Sequence, residues 1–318
     1  MGIADSIDKI RAEKDLSNIG VNKELIDLLS LLERVNPCEQ TYEYGENSFV
    51  ISYMIRLNLL NFKTGIKLFK RVRIVGLPIS VDIKGYYGDT SEINQIIAKK
   101  KGITIVLNGD KDLGVNTRTL SSFVFENKFE NLDSYLDSLR SPYRRRLKKA
   151  LKYRESLIIR NLKNDEFSDE HYALYRSVAK RSKDPLEILA IDFFKDYDAE
   201  LFEFRDKSSH KLLAFIQVKV LNEKLYFLFC GFNREDNENN DLYYNMLIKV
   251  LEIAFERNIQ TVDFGQTSEE SKLKIGCREV EKYISIHHSN RIINYILKAL
   301  SPLFTYQPYG IEHRVFRR

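Results

Sequence analysis

Apolar positions along the chain fall into short runs whose period switches repeatedly between helical and strand-like. Residues 3–35 repeat at helical spacing and end at Asn36-Pro37, which predicts an N-terminal helical region. Two runs then read as strands, FVISYMIRLNLL from Phe49 and IKLFKRVRIVGLPISV from Ile66. A helix is expected near Ser91–Lys100, followed by short strands GITIVL and LSSFVFE. Leu132, Tyr135, Leu136 and Leu139 return to helical spacing. Ser141-Pro142 then supplies an N-cap and a first-turn proline for a second helix, with Tyr143, Leu147, Ala150 and Leu151 on one side.

The later part repeats this order. LIIRNL from Leu157 reads as a strand, and Ser168 caps a helix through about Lys180. AELFEFRD, KLLAFIQVKVL and KLYFLFCGFN read as three antiparallel strands with short polar turns. The helix DLYYNMLIKVLEIAFERN places Leu242, Met246, Leu247, Val250, Ile253 and Ala254 on one face. Strand TVDFG, a short helix, strand YISIHH and helix RIINYILKAL complete the chain. The layout is α+β, antiparallel strands first and then a strand–helix–strand crossover. The two halves share an element order without a residue-level repeat.

Composition narrows the class. At 318 residues, 43% hydrophobic and 30% charged, with 14 Gly and 6 Pro, the chain is expected to fold as about two globular domains. No apolar run approaches the roughly 20 residues of a membrane span, and no signal peptide is expected. Met1-Gly2 with Ser6 fits the loose myristoylation pattern, which short sequences often match by chance. Cys38, Cys230 and Cys277 are scattered and odd in number, so no disulfide framework or zinc ligation is expected, and a cytoplasmic location is. There is no HExxH pair and no triad spacing, so no metal is expected, nor any tightly bound cofactor. Nothing in the pattern selects an oligomeric state.

Charge changes the picture more. Arg140 to Arg154 carries eight basic residues and no acid, so the rest of the chain sums to −3 against a formal +5 overall. Two readings stand: a docked helix with a solvated basic face, or an anion site for a phosphate-rich donor or RNA. Arg144, Arg145, Lys148 and Lys149 are the donor-binding candidates there. Base-stacking aromatics are sparse, so sequence-specific nucleic-acid reading is not indicated.

Three stretches resemble the GNAT acyltransferase superfamily, in particular its Fem-like, peptidoglycan-biosynthesis tandem members. SSFVFENKFENLDSYLDSLRSPYRRRLKKALK resembles the segment with which Fem-like proteins enter their second half. VDFGQTSEESKLKIG is similar to their late strand, glycine and Lys-x-x-x-Gly stretch, and HHSNRIINYILKAL with the tail through His313 is similar to the end of some of them. The similarity covers about residues 119–318. It implies tandem GNAT-like domains, each a mixed, mostly antiparallel sheet flanked by helices. The divergent first domain would span 1–130 and the acyltransferase domain 131–318. It further implies transfer of an acyl or aminoacyl group onto an amine acceptor, with acyl-CoA, an acyl-carrier protein or aminoacyl-tRNA as donor. Alternatives are a non-catalytic module binding RNA or another polyanion, and a lipid or secondary-metabolite N-acyltransferase.

Such chemistry must hold the donor's phosphates, stabilise the carbonyl oxygen and deprotonate the amine. Superfamily members that use coenzyme A cradle its pyrophosphate on a Gly-rich loop before the long helix. Here that junction, 233–241, has no glycine and carries Glu235, Asp236, Glu238 and Asp241, which predicts repulsion of a pyrophosphate. Further on, Gly265 permits a tight exit, Thr267 and Glu270 predict a capping box, and Gly276 predicts a C-cap. Gln266, Thr267 and Ser268 would then lie at a helix N-terminus, suited to an anion or oxyanion. Lys272 matches the lysine of the Fem-type aromatic-Lys stretch, with Ser271 in place of the aromatic, and the resemblance implies charge stabilisation near the acyl group. The blander reading makes Thr267 and Glu270 only a cap and Lys272 an exposed helix residue. His287 is a candidate base, or a packed histidine; His287 and His288 point to opposite faces of a strand and cannot share a metal. Tyr243 and Tyr244 open the long helix and are candidates for lining an acceptor cleft.

Overall fold

The computed structural model describes residues 2–36, 38–58, 69–79, 81–109, 113, 115–181 and 187–317. In chain order the elements are β1 (Gly2–Ala4), α1 (Ile7–Glu13), α2 (Lys23–Val35), β2 (Gln40–Tyr44), β3 (Ser48–Asn58), β4 (Phe69–Val75), β5 (Tyr86–Gly88), α3 (Thr90–Ala98), β6 (Ile103–Gly109) and β7 (Val115–Glu126). Then come α4 (Leu132–Ser138), α5 (Ser141–Arg154), β8 (Leu157–Leu162), α6 (Asp169–Ala179), α7 (Ile191–Asp196), β9 (Glu200–Asp206), β10 (Leu212–Leu221) and β11 (Lys224–Phe232). The last are α8 (Arg234–Asn240), α9 (Leu242–Glu256), β12 (Thr261–Asp263), α10 (Glu269–Lys274), β13 (Arg278–His288) and α11 (Arg291–Leu300). The far end of the run from Phe49, and the start of the run from Ile66, lie outside the described residues. No described helix is long and apolar enough to cross a membrane.

The chain packs as two units, Met1–Leu120 with Glu281–Gln307 and Ser121–Val280 with Pro308–Arg318. Residues 121–130, expected in the first domain, pack in unit 2, and residues 281–307, expected in the second, pack in unit 1. The reason is strand length. β7 has 12 residues and β13 has 11, and the chain changes unit partway along each.

Unit 1 orders its strands β1-β2-β3-β4-β6, with β5 beside β3 and the Tyr283–His288 part of β13 beside β6. Only β4 and β6 run parallel among these pairs. Strand alternation sends Val75 and Val106 to the face covered by Ile93, Ile96 and Ile97 of α3, while Tyr53, Val72 and Ile74 form a second cluster. The expected helical region over 3–35 holds two helices, α1 and α2, and its first residues belong to β1. Gly20 takes a left-handed φ of 85° and Asn22 caps α2 by accepting from the Leu25 amide, so a new helix starts there.

Unit 2 runs β12-β11-β10-β9-β8, with Val124–Glu126 of β7 beside β12. β11 and β12 are parallel and joined across α9, which is the expected crossover. The α9 stripe Leu242, Met246, Leu247, Val250, Ile253 and Ala254 is buried in one core with Leu147 and Ala150 of α5. A second aromatic cluster stacks Phe167 on Phe194 of α7, with Phe215 edge-on to Phe167 and Phe229 edge-on to Phe194. Two local expectations are corrected. Arg140, not Ser141, occupies the N-cap of α5, with Pro142 inside the first turn. Residues 233–241 are not a loop; most of them form α8.

A candidate anion-binding active site in unit 2

β11 ends at Phe232, α8 follows immediately, and Asp241 turns the chain with a left-handed φ of 48° into α9. This compact double turn, with α5 and the start of α10, encloses an open cavity of about 410 Å³. Arg146, Arg181 and Arg234 reach it from three elements or their ends. Tyr243, Tyr244, Ser268 and Ser271 supply hydroxyls, and Asn237, Glu238, Asp241 and Phe232 complete the lining.

Arg146 is the best-anchored of the arginines. Its Nη2 donates to Asp241 at 2.6 Å, and its guanidinium lies 4.1 Å from the Tyr244 ring centre, a stacked cation–π geometry. The hydrogen bond to Asp241 holds Arg146 above its ordinary pKa, and the same bond holds Asp241 below its own. Nη1 of Arg146 is shielded from solvent and has no hydrogen-bond partner among the described residues. Arg181 is held by the Phe232 carbonyl at 2.8 Å and by its ring at 4.6 Å. The expected repulsion at 233–241 is answered by pairing: Asp236 meets Lys211 at 2.9 Å, Glu238 meets Arg234 at 2.8 Å and Asp241 meets Arg146. Three of the four acids at the junction are thereby paired, and the fourth, Glu235, is exposed.

The opposite wall is a strained turn. Thr267 and Ser268 are both left-handed, at φ 64° and 51°, after Gly265 at 66°. Consecutive non-glycine residues in that region, one of them β-branched, each cost about 1–3 kcal/mol and need outside support. Lys272 provides it. Its side chain is 2% exposed, and its Nζ donates to the carbonyls of Gly265 at 3.1 Å and Gln266 at 2.7 Å. The ammonium also lies 5.7 Å from the Phe123 ring. The expected Thr267–Glu270 capping box is absent. Ser268 is the N-cap, without a side-chain hydrogen bond, and Glu270 pairs with Lys274 one turn on. Gly276 does end α10, where the Gly276 amide donates to Leu273 and the Cys277 amide to Lys272 in a Schellman pattern.

Of the sequence candidates, Tyr243, Tyr244 and Ser268 line the cavity. Burial pushes the Tyr243 phenol well above its ordinary range. Lys149 stands at the margin, 3.9 Å from Asp241. Arg144 faces Asp137 at 3.8 Å, while Arg145, Lys148 and Thr267 are exposed and do not line the cavity. Gln266 contributes its carbonyl to Lys272. His287 belongs to unit 1, lowered in pKa by burial, with Nδ1 3.5 Å from Asn294. Burial raises the Cys230 thiol to about 11, as suits a packed thiol. Sequence reasoning missed Arg146, Arg181, Arg234, Asn237 and Ser271. For Arg146 a signal existed, because it borders the apolar stripe of its helix instead of opposing it.

No protein-family model matches the chain, and no curated protein matches it in sequence. Solved structures do. L-PGS from Bacillus licheniformis is 11% identical with a TM-score of 0.56, over 96% of this chain and 99% of that one. A C-terminal domain (DUF2156) assigned to a lysylphosphatidylglycerol synthetase of Agrobacterium fabrum is 9% identical at 0.53, over 96% and 98%. FemX is 12% identical at 0.51, over 94% and 100%. At these identities the likeness concerns the fold. The fold is GNAT-like, with a large mixed sheet flanked by helices.

Proposed function

We propose that the chain is an acyltransferase that moves an acyl or aminoacyl group from a phosphate-bearing donor onto an amine. The observation that carries this reading is the unit 2 cavity, where three arginines, two serines and two tyrosines converge at the start of the long crossover helix. Guanidinium forks suit phosphate oxygens, and Arg146 lines the cavity already oriented by Asp241 and Tyr244. The fold shared with L-PGS and FemX supports transfer chemistry in this unit.

The roles follow from the geometry. Arg146, Arg181 and Arg234 hold the donor phosphate, with Lys149 at the rim. Ser268 and Ser271 offer hydroxyl donors to the carbonyl oxygen as it gains charge. As the amine attacks, the proton it loses goes to the departing oxygen or sulfur, relayed through the Tyr243 hydroxyl, which burial keeps protonated. Lys272 is a positioning residue: it holds the left-handed turn that carries Ser268, through the carbonyls of Gly265 and Gln266. In these roles an acyl-CoA, an acyl-carrier phosphopantetheine or a charged tRNA are all admissible donors, and amine acceptors, lipid amines included, would enter beside Tyr244.

The test is a transfer screen of the full chain with acyl-CoA, acyl-carrier protein and charged tRNA against amine acceptors. Turnover with one donor, lost in Arg146→Ala, is the expected result. Salt-sensitive RNA binding without turnover on any donor would replace the enzyme reading with a polyanion-binding module.

A further inference from the structure

In unit 1, α11 is packed the wrong way round for a helix that serves a core. Its polar residue Asn294 faces β13, accepting from the His288 amide at 2.7 Å and lying 3.5 Å from His287 Nδ1. Its apolar arc faces out. Ile292 is 71% exposed, Tyr295 76% and Ile296 48%, with Leu300 and Ile293 also exposed. Residues 292, 295, 296 and 299 share one side at helical spacing, so these exposures form a continuous stripe and not scattered points. The helix is nonetheless firmly started, since the Asn290 side chain accepts from the Ile292 and Ile293 amides.

We infer that α11 is an interfacial helix that lays its apolar stripe into an anionic lipid surface. Charge favours that occupant. Between Glu281 and Glu312 the sequence has no acid; Lys282 is paired with Asp82 at 3.6 Å, and Arg291 and Lys298 belong to α11 itself. A helix with two basic residues, no acid and an exposed apolar stripe suits anionic headgroups. Tyr295 on the stripe is the amphipathic ring type that favours the headgroup level. Length sets the orientation: ten residues span about 15 Å, half a bilayer core, so the helix lies along the surface instead of crossing it. Area argues against a second copy docking through α11 alone. A face of about 15 by 10 Å offers on the order of 150 Å², far below the roughly 800 Å² per partner of a stable interface. The inference rests on unit 1 and does not depend on the transferase reading.

Cosedimentation of the full chain with phosphatidylglycerol–phosphatidylcholine vesicles, and with pure phosphatidylcholine vesicles, tests it. Binding to the anionic vesicles is expected, weakened when ionic strength rises from about 0.05 to about 0.5 M. The double substitution Ile292→Asp with Ile296→Asp should weaken it by about tenfold or more, since both side chains leave the lipid and gain charge. Arg291→Glu should weaken it less. Both substituted positions are exposed, and an unchanged melting curve confirms that the variant is folded. Three results would each overturn the inference: no sedimentation with anionic vesicles, equal sedimentation of the folded double variant, or a dimer that the double substitution dissociates without any vesicle binding.

Discussion

Unit 2 contains two clusters in which arginines meet a carboxylate, and they are built to opposite ends. At the β8–β9 edge, Glu203 is fully buried and receives Arg160 Nε at 2.7 Å and Arg205 Nε at 2.9 Å, with His171 Nε2 at 3.3 Å. Burial works to raise its pKa, but the two guanidinium hydrogen bonds outweigh that and leave the carboxyl below its ordinary value. His171 lies beside them, its ring packed between Phe167 and Phe215. The Ser168 amide donates to its Nδ1, so the neutral ring carries its proton on Nε2, toward Glu203. At the cavity, Arg146 meets Asp241 just as closely, yet about 410 Å³ of open space lies alongside. Density of charge does not distinguish the two. Room for a ligand does.

The largest effect should come from breaking the closed cluster. Glu203→Ala removes a buried carboxylate that accepts from Arg160 and Arg205. Arg160 is more than half exposed and able to hydrate, so the loss should be about 3 kcal/mol of stability. Thermal or denaturant unfolding checks it, and a loss below about 1 kcal/mol would show that the cluster is not sealed as described. Donor KM, measured below the lowered melting point, should hardly move.

Arg146→Ala reverses that signature. It should lower kcat/KM for transfer about a hundredfold, equivalent to ~2.7 kcal/mol, with little change in melting temperature. Arg146→Lys should recover only part, because an ammonium keeps the charge and loses the fork. A variant that unfolds instead would make Arg146 a structural residue like Arg160.

A pH series separates the clusters next. Burial holds His171 below its ordinary 6.5, against the attraction of Glu203. A depressed histidine means that the unfolded chain takes the proton first, so stability falls as pH drops below about 6.5. Glu203, also depressed, adds stability that is present above 4.5 and is lost as pH falls further through its folded value. The melting temperature should therefore decline by a few degrees between pH 7 and 5, and more steeply below that. His171→Asn should flatten the first part of that decline, and an unchanged slope would remove His171 from the account.

What the sequence made legible follows the same division. The crossover β11–α9–β12, the antiparallel β9–β10–β11 run and the end of α10 at Gly276 follow from local periodicity and one glycine, and all three are present. Polar elements were not legible. β2 reads QTYEY without an apolar run, and α8 reads REDNENN, a polar helix whose Asp236 finds Lys211 only after folding. The αL turn at Thr267–Ser268 was likewise invisible, because Lys272 imposes it from five and four residues downstream. For the site, the candidates Arg145, Lys148 and Lys149 lie on the solvated side of α5. Arg146 and Arg154, on or beside the stripe formed by Tyr143, Leu147, Ala150 and Leu151, are the ones that reach inward, to Asp241 and Glu252. A basic residue bordering an apolar stripe is the better candidate, since its helix points it at the protein.

The smallest predicted effect concerns that solvated side. Arg145 and Lys148 lie on the outer arc of α5, exposed, with no part in the cavity lining. Exposed charges contribute a few tenths of a kcal/mol to stability at most, so Arg145→Ala with Lys148→Ala should leave melting unchanged. Their field still reaches a Debye length of about 10 Å at 0.1 M salt, enough to steer a polyanionic donor toward the cavity without touching it. The double variant should therefore raise donor KM about two- to threefold at low ionic strength, leave kcat alone and show no difference at about 0.5 M salt. If instead kcat falls, or the defect persists at high salt, the donor contacts the outer arc directly, and the boundary drawn between Arg146 and its exposed neighbours has to move outward along the helix.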